Sequence, residues 1–145
     1  MINLLQYREY WEGVGRRVDS ITEVLPVTID EQMGKKIQSL PANSVNLFVF
    51  PPLAESNAKN VDNFKEVNKC VVFVMAKYDP QRRSSFDVLE QTQPIIDEVK
   101  SILLNDQRAG CPVMRVEVDS IDTAPETELY GRFAGWSIAF NVTSY

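Results

Sequence analysis

The chain has 145 residues and a formal net charge of −5, from 15 lysines and arginines against 20 aspartates and glutamates. With 44% hydrophobic residues it is neither disordered nor collagen-like, and its length suits a single domain over residues 1–145. It has no histidine, which removes the commonest general base and metal ligand. No P-loop, dinucleotide-binding or nucleophile-elbow motif occurs. We therefore predict no enzymatic activity, no cofactor and no metal site.

The N-terminal segment predicts an amphipathic helix over residues 3–21. Apolar side chains recur there at intervals of three and four residues: Leu4, Tyr7, Trp11, Val14, Val18 and Ile21. Gly13 and Gly15 each lower the stability of the isolated helix by roughly 1 kcal/mol relative to alanine. The helix must therefore be stabilised by docking onto the rest of the protein.

Two prolines bracket a shorter helical segment. Pro26 breaks the first helical pattern, and Asp30 is a suitable N-cap for a new helix. Pro41 is expected to end that helix. The pattern therefore predicts a short helix over residues 30–40.

Two apolar runs in the middle of the chain predict strands. The first covers residues 45–50 and is stopped by Pro51 and Pro52, since proline cannot donate to a strand ladder. The second covers residues 69–78, and its continuous apolar centre predicts burial on both faces. The polar segment 53–68 between them is predicted to be either a long loop or a loosely ordered hairpin.

A second amphipathic helix is predicted from Ser84 to about Asn105. Ser84 followed by Asp87 resembles a capping box. Pro94 lies inside the helical pattern, so we expect either a kink or two abutting helices. Gly110 is the expected stop signal.

The last third of the chain predicts two strands around an acidic loop. Alternation of apolar and polar residues predicts a half-exposed strand over residues 112–122. Residues 121–131 are expected to be an acidic loop. A final alternating strand begins near Trp136 and runs almost to Tyr145.

The element order therefore predicts an α+β fold: a mainly antiparallel four-stranded sheet with helices packed on one face. Such a sheet can leave its other face to solvent or to a partner. Trp11 and Trp136 are both expected in the core.

Charge and cysteine content restrict the partners and the compartment. An acidic chain without a basic tract is a poor nucleic-acid binder, so we predict no specific nucleic-acid binding. The first residues lack the apolar stretch of a signal peptide, and no apolar run approaches the ~20 residues of a membrane span. We therefore expect cytosolic synthesis without membrane contact. Cys70 and Cys111, which form no C-x-x-C pattern, are predicted to be reduced and mostly buried.

The strongest candidates for acid/base or cation chemistry are Glu117, Asp119 and Asp122. Strand alternation predicts that Glu117 and Asp119 share one face, roughly 7 Å apart. Paired carboxylates can exchange protons or hold a hard cation. A solvated strand face is nevertheless the favoured interpretation of these three residues.

Aromatic residues and an uneven distribution of charge indicate a possible contact surface. Large aromatic side chains in a loop serve either an interface or local packing. Residues 111–145 hold two arginines against five carboxylates, whereas residues 41–78 hold four lysines against three. Such asymmetry can support a head-to-tail contact that closes into a ring. The candidate interface residues are Tyr130, Arg132, Phe133, Glu126, Glu128, Lys59 and Lys65.

The segment YGRFAGWSIAFNV, residues 130–142, is similar to the closing glycine–tryptophan strand of tail-terminator and tail-completion proteins of long-tailed bacteriophages. The order of the preceding elements also resembles that family. The resemblance implies a ring-forming virion subunit, commonly in six copies, that is assembled in the host cytoplasm. Its implied partners are further copies of itself, the tail-tube protein and the head–tail connector protein. The family has no catalytic residues to carry over, and segment 53–68 corresponds to a hairpin or loop that such proteins extend toward neighbours.

Two other functions fit the same sequence features. The first is a head–tail connector, or neck, protein of the same particle. The second is a small α+β binding or regulatory module of a bacterial host.

Overall fold

The computed structural model describes residues 1–28, 37–129 and 132–144 of the chain. Within these residues the fold is α+β. Its helices are α1, Leu4–Arg17, and α2, Ser85–Arg108. Its strands are β1, Glu23–Pro26; β2, Val45–Val49; β3, Leu53–Ser56; β4, Glu66–Lys77; β5, Val116–Leu129; and β6, Phe133–Ser144.

All six strands belong to one mixed sheet. Its order is β1-β2-β4-β6-β5, and β3 also pairs with β4. The β1–β2 pair is parallel and the other pairs are antiparallel. The α+β class is therefore confirmed, whereas the prediction of four strands is wrong. It missed β1 and β3 because each has only four residues, too few for a clear alternation pattern.

β2 and β3 lie end to end along the same side of β4. β2 pairs Val49 with Val72, and β3 then begins by pairing Leu53 with Lys69. The register therefore shifts by one residue across the intervening residues 50–52. The hairpin interpretation of the polar segment is correct, because β3 and the start of β4 form an antiparallel pair.

The two helices share one hydrophobic core on one face of the sheet, as predicted. Its buried side chains come from both helices and from alternate positions of the strands, among them Tyr7, Trp11, Val14, Val72, Val74, Val88, Ile96, Val99, Ile138 and Phe140. A smaller core lies on the opposite face: Leu25, Val27, Ile37, Leu40, Phe48, Met75 and Phe133. The C-terminal half of β4 is therefore buried on both faces.

α1 is anchored at its beginning and ends earlier than predicted. The Asn3 side chain accepts a hydrogen bond from the Gln6 N–H and caps the helix. Just before it, the buried Ile2 donates its N–H to Asn68 of β4. The helix ends at Arg17 because the next residue already has extended backbone angles.

α2 is one helix through Pro94, so the alternative of two abutting helices is wrong. The predicted capping box is present: Ser84 accepts from the Asp87 N–H, and the Asp87 carboxylate accepts from the Ser84 N–H. Gly110 follows the helix with a φ of 79°, the left-handed conformation that favours glycine.

Two other predicted elements have different outcomes. Most of the short helix predicted for 30–40 lies outside the described residues, and Ile37 and Leu40 at its end are buried. The acidic loop predicted for 121–131 is wrong up to residue 129, because β5 continues to Leu129. Charged side chains are typical of edge strands, where they discourage pairing with another chain.

Glycine at position 135 is required by the close approach of β4 and β6. A Cβ built on Gly135 would lie 1.9 Å from the Val74 carbonyl oxygen. At Gly13 of α1 the nearest atom to such a Cβ is 3.7 Å away, at the end of the Arg16 side chain. A substitution at Gly135 therefore tests the close packing of two strands, whereas a substitution at Gly13 tests only the low helix preference of glycine.

We expect Gly135→Ala to lower the free energy of unfolding by at least about 2 kcal/mol, because backbone atoms must move. The matched variant Gly13→Ala should leave it unchanged or raise it by up to about 1 kcal/mol. Urea denaturation followed by circular dichroism measures both. Equal stabilities for Gly135→Ala and the wild type would contradict the close strand approach.

Candidate interaction surface

The three candidate carboxylates have different surroundings in the structure. Glu117 accepts a hydrogen bond from Thr143, while Asp119 and Asp122 are exposed. The strand alternation behind the predicted pairing is interrupted, since the β5 register shifts between Glu117 and Asp122. Across the described residues, no three His, Cys, Asp or Glu side chains are grouped so that they could hold a metal ion.

Both cysteines are free, as predicted, and they differ in exposure. Cys70 is buried beneath α1, and Cys111 is half-buried. Burial raises the pKa of the Cys70 thiol to about 11. Cys70 therefore stays protonated at neutral pH and is a core residue rather than a nucleophile.

The charged interface candidates lie at opposite ends of the sheet. Lys59 is exposed and Lys65 is half-buried in the loop before β4, beside the Glu66 end of that strand. Arg132 and Glu126 lie at the other end. Arg132 is exposed, and its carbonyl oxygen accepts the Tyr78 N–H just beyond β4. The twelve residues of β4 span about 36 Å, so the structure does not bring these two groups together within one copy.

The aromatic candidates are not a surface pair. Phe133 is only 2% exposed and packs edge-on against Phe48, with ring centroids 5.7 Å apart. Its role is therefore local packing rather than an interface contact. Tyr130 lies outside the described residues.

The two remaining candidates are glutamates of β5. Glu128 lies within the strand, and the Glu126 carboxylate accepts a hydrogen bond from the Ser137 hydroxyl.

Three strands have an edge without a strand partner in the described part of the chain: β1 pairs with β2 alone, β3 with β4 alone, and β5 with β6 alone. β1 and β3 lie on one side of the sheet, and β5 lies on the other. Unpaired strand edges favour association unless the protein protects them.

Exposed apolar side chains accompany β3 and β5. Near β3 they are Leu53 of the strand itself and Val61 and Phe64 of the loop that follows it. On the β5 side Val118 is 57% exposed. Among the described large apolar residues, Phe86 at the start of α2 is also exposed. Grouped exposed apolar residues are typical of protein–protein contacts.

An open groove of about 230 Å³ lies at the C-terminal ends of β1 and β2, where residues 26–28 and Val49 form part of its lining. Its walls include Leu4 and Arg8 of α1 and the Phe50–Pro51 junction between β2 and β3. Arg8 is the one charged side chain among the described residues that line it. The Arg8 Nε–H donates to Glu12 at 2.8 Å, and the guanidinium has further N–H groups for a ligand or partner.

A charged cluster fastens the C-terminal ends of the two helices together. The Asp106 carboxylate of α2 accepts hydrogen bonds from the Tyr10 hydroxyl at 2.9 Å and from Arg17 at 2.8 Å. The Arg17 hydrogen bond lowers the pKa of Asp106 below its ordinary value. Burial, with the Asp106 hydrogen bond as a smaller cause, raises the pKa of Tyr10. α1, which forms one wall of the groove, is therefore fixed to α2.

Comparison with known proteins adds no relative to this description. No protein-family model matches the chain, and no curated protein sequence matches it. In residues 1–28, 37–129 and 132–144 no helix is both long and apolar enough to cross a membrane.

The groove and the β3 edge were missed at the level of sequence. A signal for the groove was present in Pro51 and Pro52, which interrupt an otherwise continuous strand edge. The exposed Leu4, at the margin of the helical stripe, was a second signal. Neither of these two signals could be interpreted without knowing β1. β1 pairs with β2 and so determines where the free edge on that side of the sheet begins.

The Asp106 cluster predicts a specific pH dependence of stability. Because the folded pKa of Asp106 is lowered, its contribution is complete above the ordinary unfolded value of about 3.9. The contribution is lost as the pH falls through the lower folded pKa. We expect Asp106→Asn to lower the free energy of unfolding by about 1 kcal/mol at neutral pH.

The difference between wild type and Asp106→Asn should shrink as the pH falls below about 4. Urea denaturation over a pH series measures it. Glu98→Gln, which removes an exposed carboxylate from the same helix, is the matched control and should show no comparable difference. A gap between Asp106→Asn and the wild type that does not change with pH would contradict the ion-pair explanation.

Proposed function

We propose that this chain is a structural assembly subunit that forms a homo-oligomeric ring, as a tail-terminator or tail-completion protein of a long-tailed bacteriophage. In this role the ring caps the tail tube, joins it to the head connector and becomes part of the virion. The observation that carries the proposal is that β3 on one side of the sheet and β5 on the other each have an unpaired edge and an exposed apolar side chain, Leu53 and Val118.

The arrangement of the two edges favours a ring over a two-fold dimer. The edges differ in sequence and in shape, so the contact that buries both of them joins unlike surfaces. A contact between unlike surfaces repeats from copy to copy and either closes into a ring or continues as a filament. A ring that ends a tube requires the closed form.

The charge distribution supports the same kind of contact. Exposed carboxylates of β5, such as Asp119 and Asp122, lie on one edge of the sheet, and Lys59 and Lys65 lie in the hairpin loop on the other side. Opposite charges on unlike surfaces steer successive copies into one orientation. They also disfavour a symmetric contact that would place like charges together.

The resemblance to tail-terminator proteins is carried by residues with identifiable structural roles. Gly135 permits the close approach of β6 to β4. The Trp136 indole N–H donates to the Leu89 carbonyl of α2 at 3.0 Å, so it ties the last strand to the long helix. These roles explain why a glycine–tryptophan pair suits this topology. They support a shared fold more directly than a shared function.

We expect the purified protein to form a closed ring, commonly of six copies, with association increasing with protein concentration. Size-exclusion chromatography with light scattering measures the mass, and negative-stain electron microscopy shows whether the particles are rings. Mixing the purified protein with tail-tube subunits and, separately, with connector protein distinguishes a tail-terminator position in the particle from a neck position. Binding to tube ends supports a terminator, and binding to the connector alone supports the neck alternative.

A strict monomer at all concentrations, both alone and with tube subunits, would contradict the proposed assembly role. Native mass spectrometry of the same samples tests the regulatory-module alternative. A small metabolite bound stoichiometrically to a monomer would favour that alternative, because a ring subunit needs none.

A further inference from the structure

The β5 edge carries an insertion of fixed shape. The strand pairs Glu117 with Asn141 and next pairs Asp122 with Ala139. Four residues of β5, 118–121, therefore face a single residue of β6. Insertions of this kind push backbone and side chains out of the line of the strand.

Hydrogen bonds of Ser120 hold this insertion in place. Its hydroxyl donates to the Glu117 carbonyl and accepts the Asn141 N–H at 2.8 Å. The Ser120 hydroxyl thus replaces a backbone carbonyl as the hydrogen-bond acceptor for the Asn141 N–H. Val118 and Asp119 of the same insertion are exposed. We call residues 118–121 the β5 knob. It is a shaped projection and not a frayed strand end.

The β5 knob and the groove lie at the same height on opposite edges of the sheet. The knob is opposite Phe140, whose partner on β4 is Cys70. Val49, Phe50 and Pro51 line the groove on the sheet side, and Val49 pairs with Val72, so this wall lies at the level of residues 70–72 of β4. If successive copies are related by rotation about an axis parallel to the strands, the knob of one copy can therefore meet the groove of the next without a shift along the strand direction.

The chemistry of the two surfaces is complementary. Val118 presents an apolar side chain to a groove with apolar walls at Leu4 and Phe50. Asp119, next to Val118, is a carboxylate. Arg8 is the charged side chain among the described groove residues, and it also pairs with Glu12 of its own helix at 2.8 Å. An apolar contact flanked by one ion pair is the composition of a specific interface.

We infer that the β5 knob of one copy seats in the groove of the next copy, with Val118 against Leu4 and Phe50 and Asp119 facing Arg8. This inference rests on the proposed ring and names the two surfaces that form each contact.

The test compares Val118→Asp with Phe86→Asp, both measured by size-exclusion chromatography with light scattering. Both replace an exposed apolar residue by a carboxylate, and Phe86 is 66% exposed on the first turn of α2. We expect Val118→Asp to weaken association at least about tenfold, because a charge enters an apolar groove. Phe86→Asp should form rings like the wild type. Urea denaturation confirms that both variants fold.

A charge exchange tests the predicted ion pair. Arg8→Glu and Asp119→Arg should each weaken the ring, since like charges then meet at every contact. The double variant carries both changes in each copy, so every contact has a reversed pair, and we expect association to recover. Leu4→Asp changes the groove from its apolar side and should act like Val118→Asp.

The outcomes separate this inference from the proposed function. Rings of wild type that are weakened no more by Val118→Asp than by Phe86→Asp would overturn the inference and leave the ring proposal standing. Failure of the double variant to recover would overturn the ion pair. A wild-type protein that never associates, alone or with tube subunits, would overturn both the ring and its contact.

Discussion

The structure depends on the burial of one strand from both sides. The C-terminal half of β4 is covered by α1 and α2 on one face and by the smaller core around Phe48 and Met75 on the other. β4 also pairs with β2, β3 and β6 over its length. Because backbone groups buried in this way must all be hydrogen-bonded, the neighbours of β4 are strongly determined. The pairing of the outer strands is less strongly determined.

The outer strands carry the irregular features of the sheet. Residues 50–52 interrupt one side and residues 118–121 are inserted on the other, while β4 and β6 pair without a break from Glu66 to Lys77. In monomeric proteins, such irregularities discourage further strand pairing. Here each irregularity is flanked by exposed apolar side chains, so the same devices that block unspecific strand pairing can define one specific contact.

Much of the fold could be predicted where local signals agreed with burial. The helix at residue 84 has a capping box that is present in the structure, and the apolar run at 69–78 is buried as expected. β1 could not be predicted, since it is a strand only through its parallel pairing with β2. Asp119 and Asp122 are exposed, as expected of a solvated strand face, but Phe133 was ambiguous between an interface and local packing. The local sequence Gly131-Arg132-Phe133 is the same whether the phenylalanine ring is buried or exposed.

The anchoring of α1 at both ends affects the energetics of docking. The N-terminal end is held by the Asn3 cap and by the Ile2–Asn68 hydrogen bond, and the C-terminal end by Asp106. A helix of 14 residues, about 21 Å long, is thereby pre-organised as a rigid wall. Little backbone entropy is then lost when a neighbour arrives, and the loss that remains comes from immobilised side chains. In the proposed ring, a contact with α1 would therefore form between surfaces that are already folded.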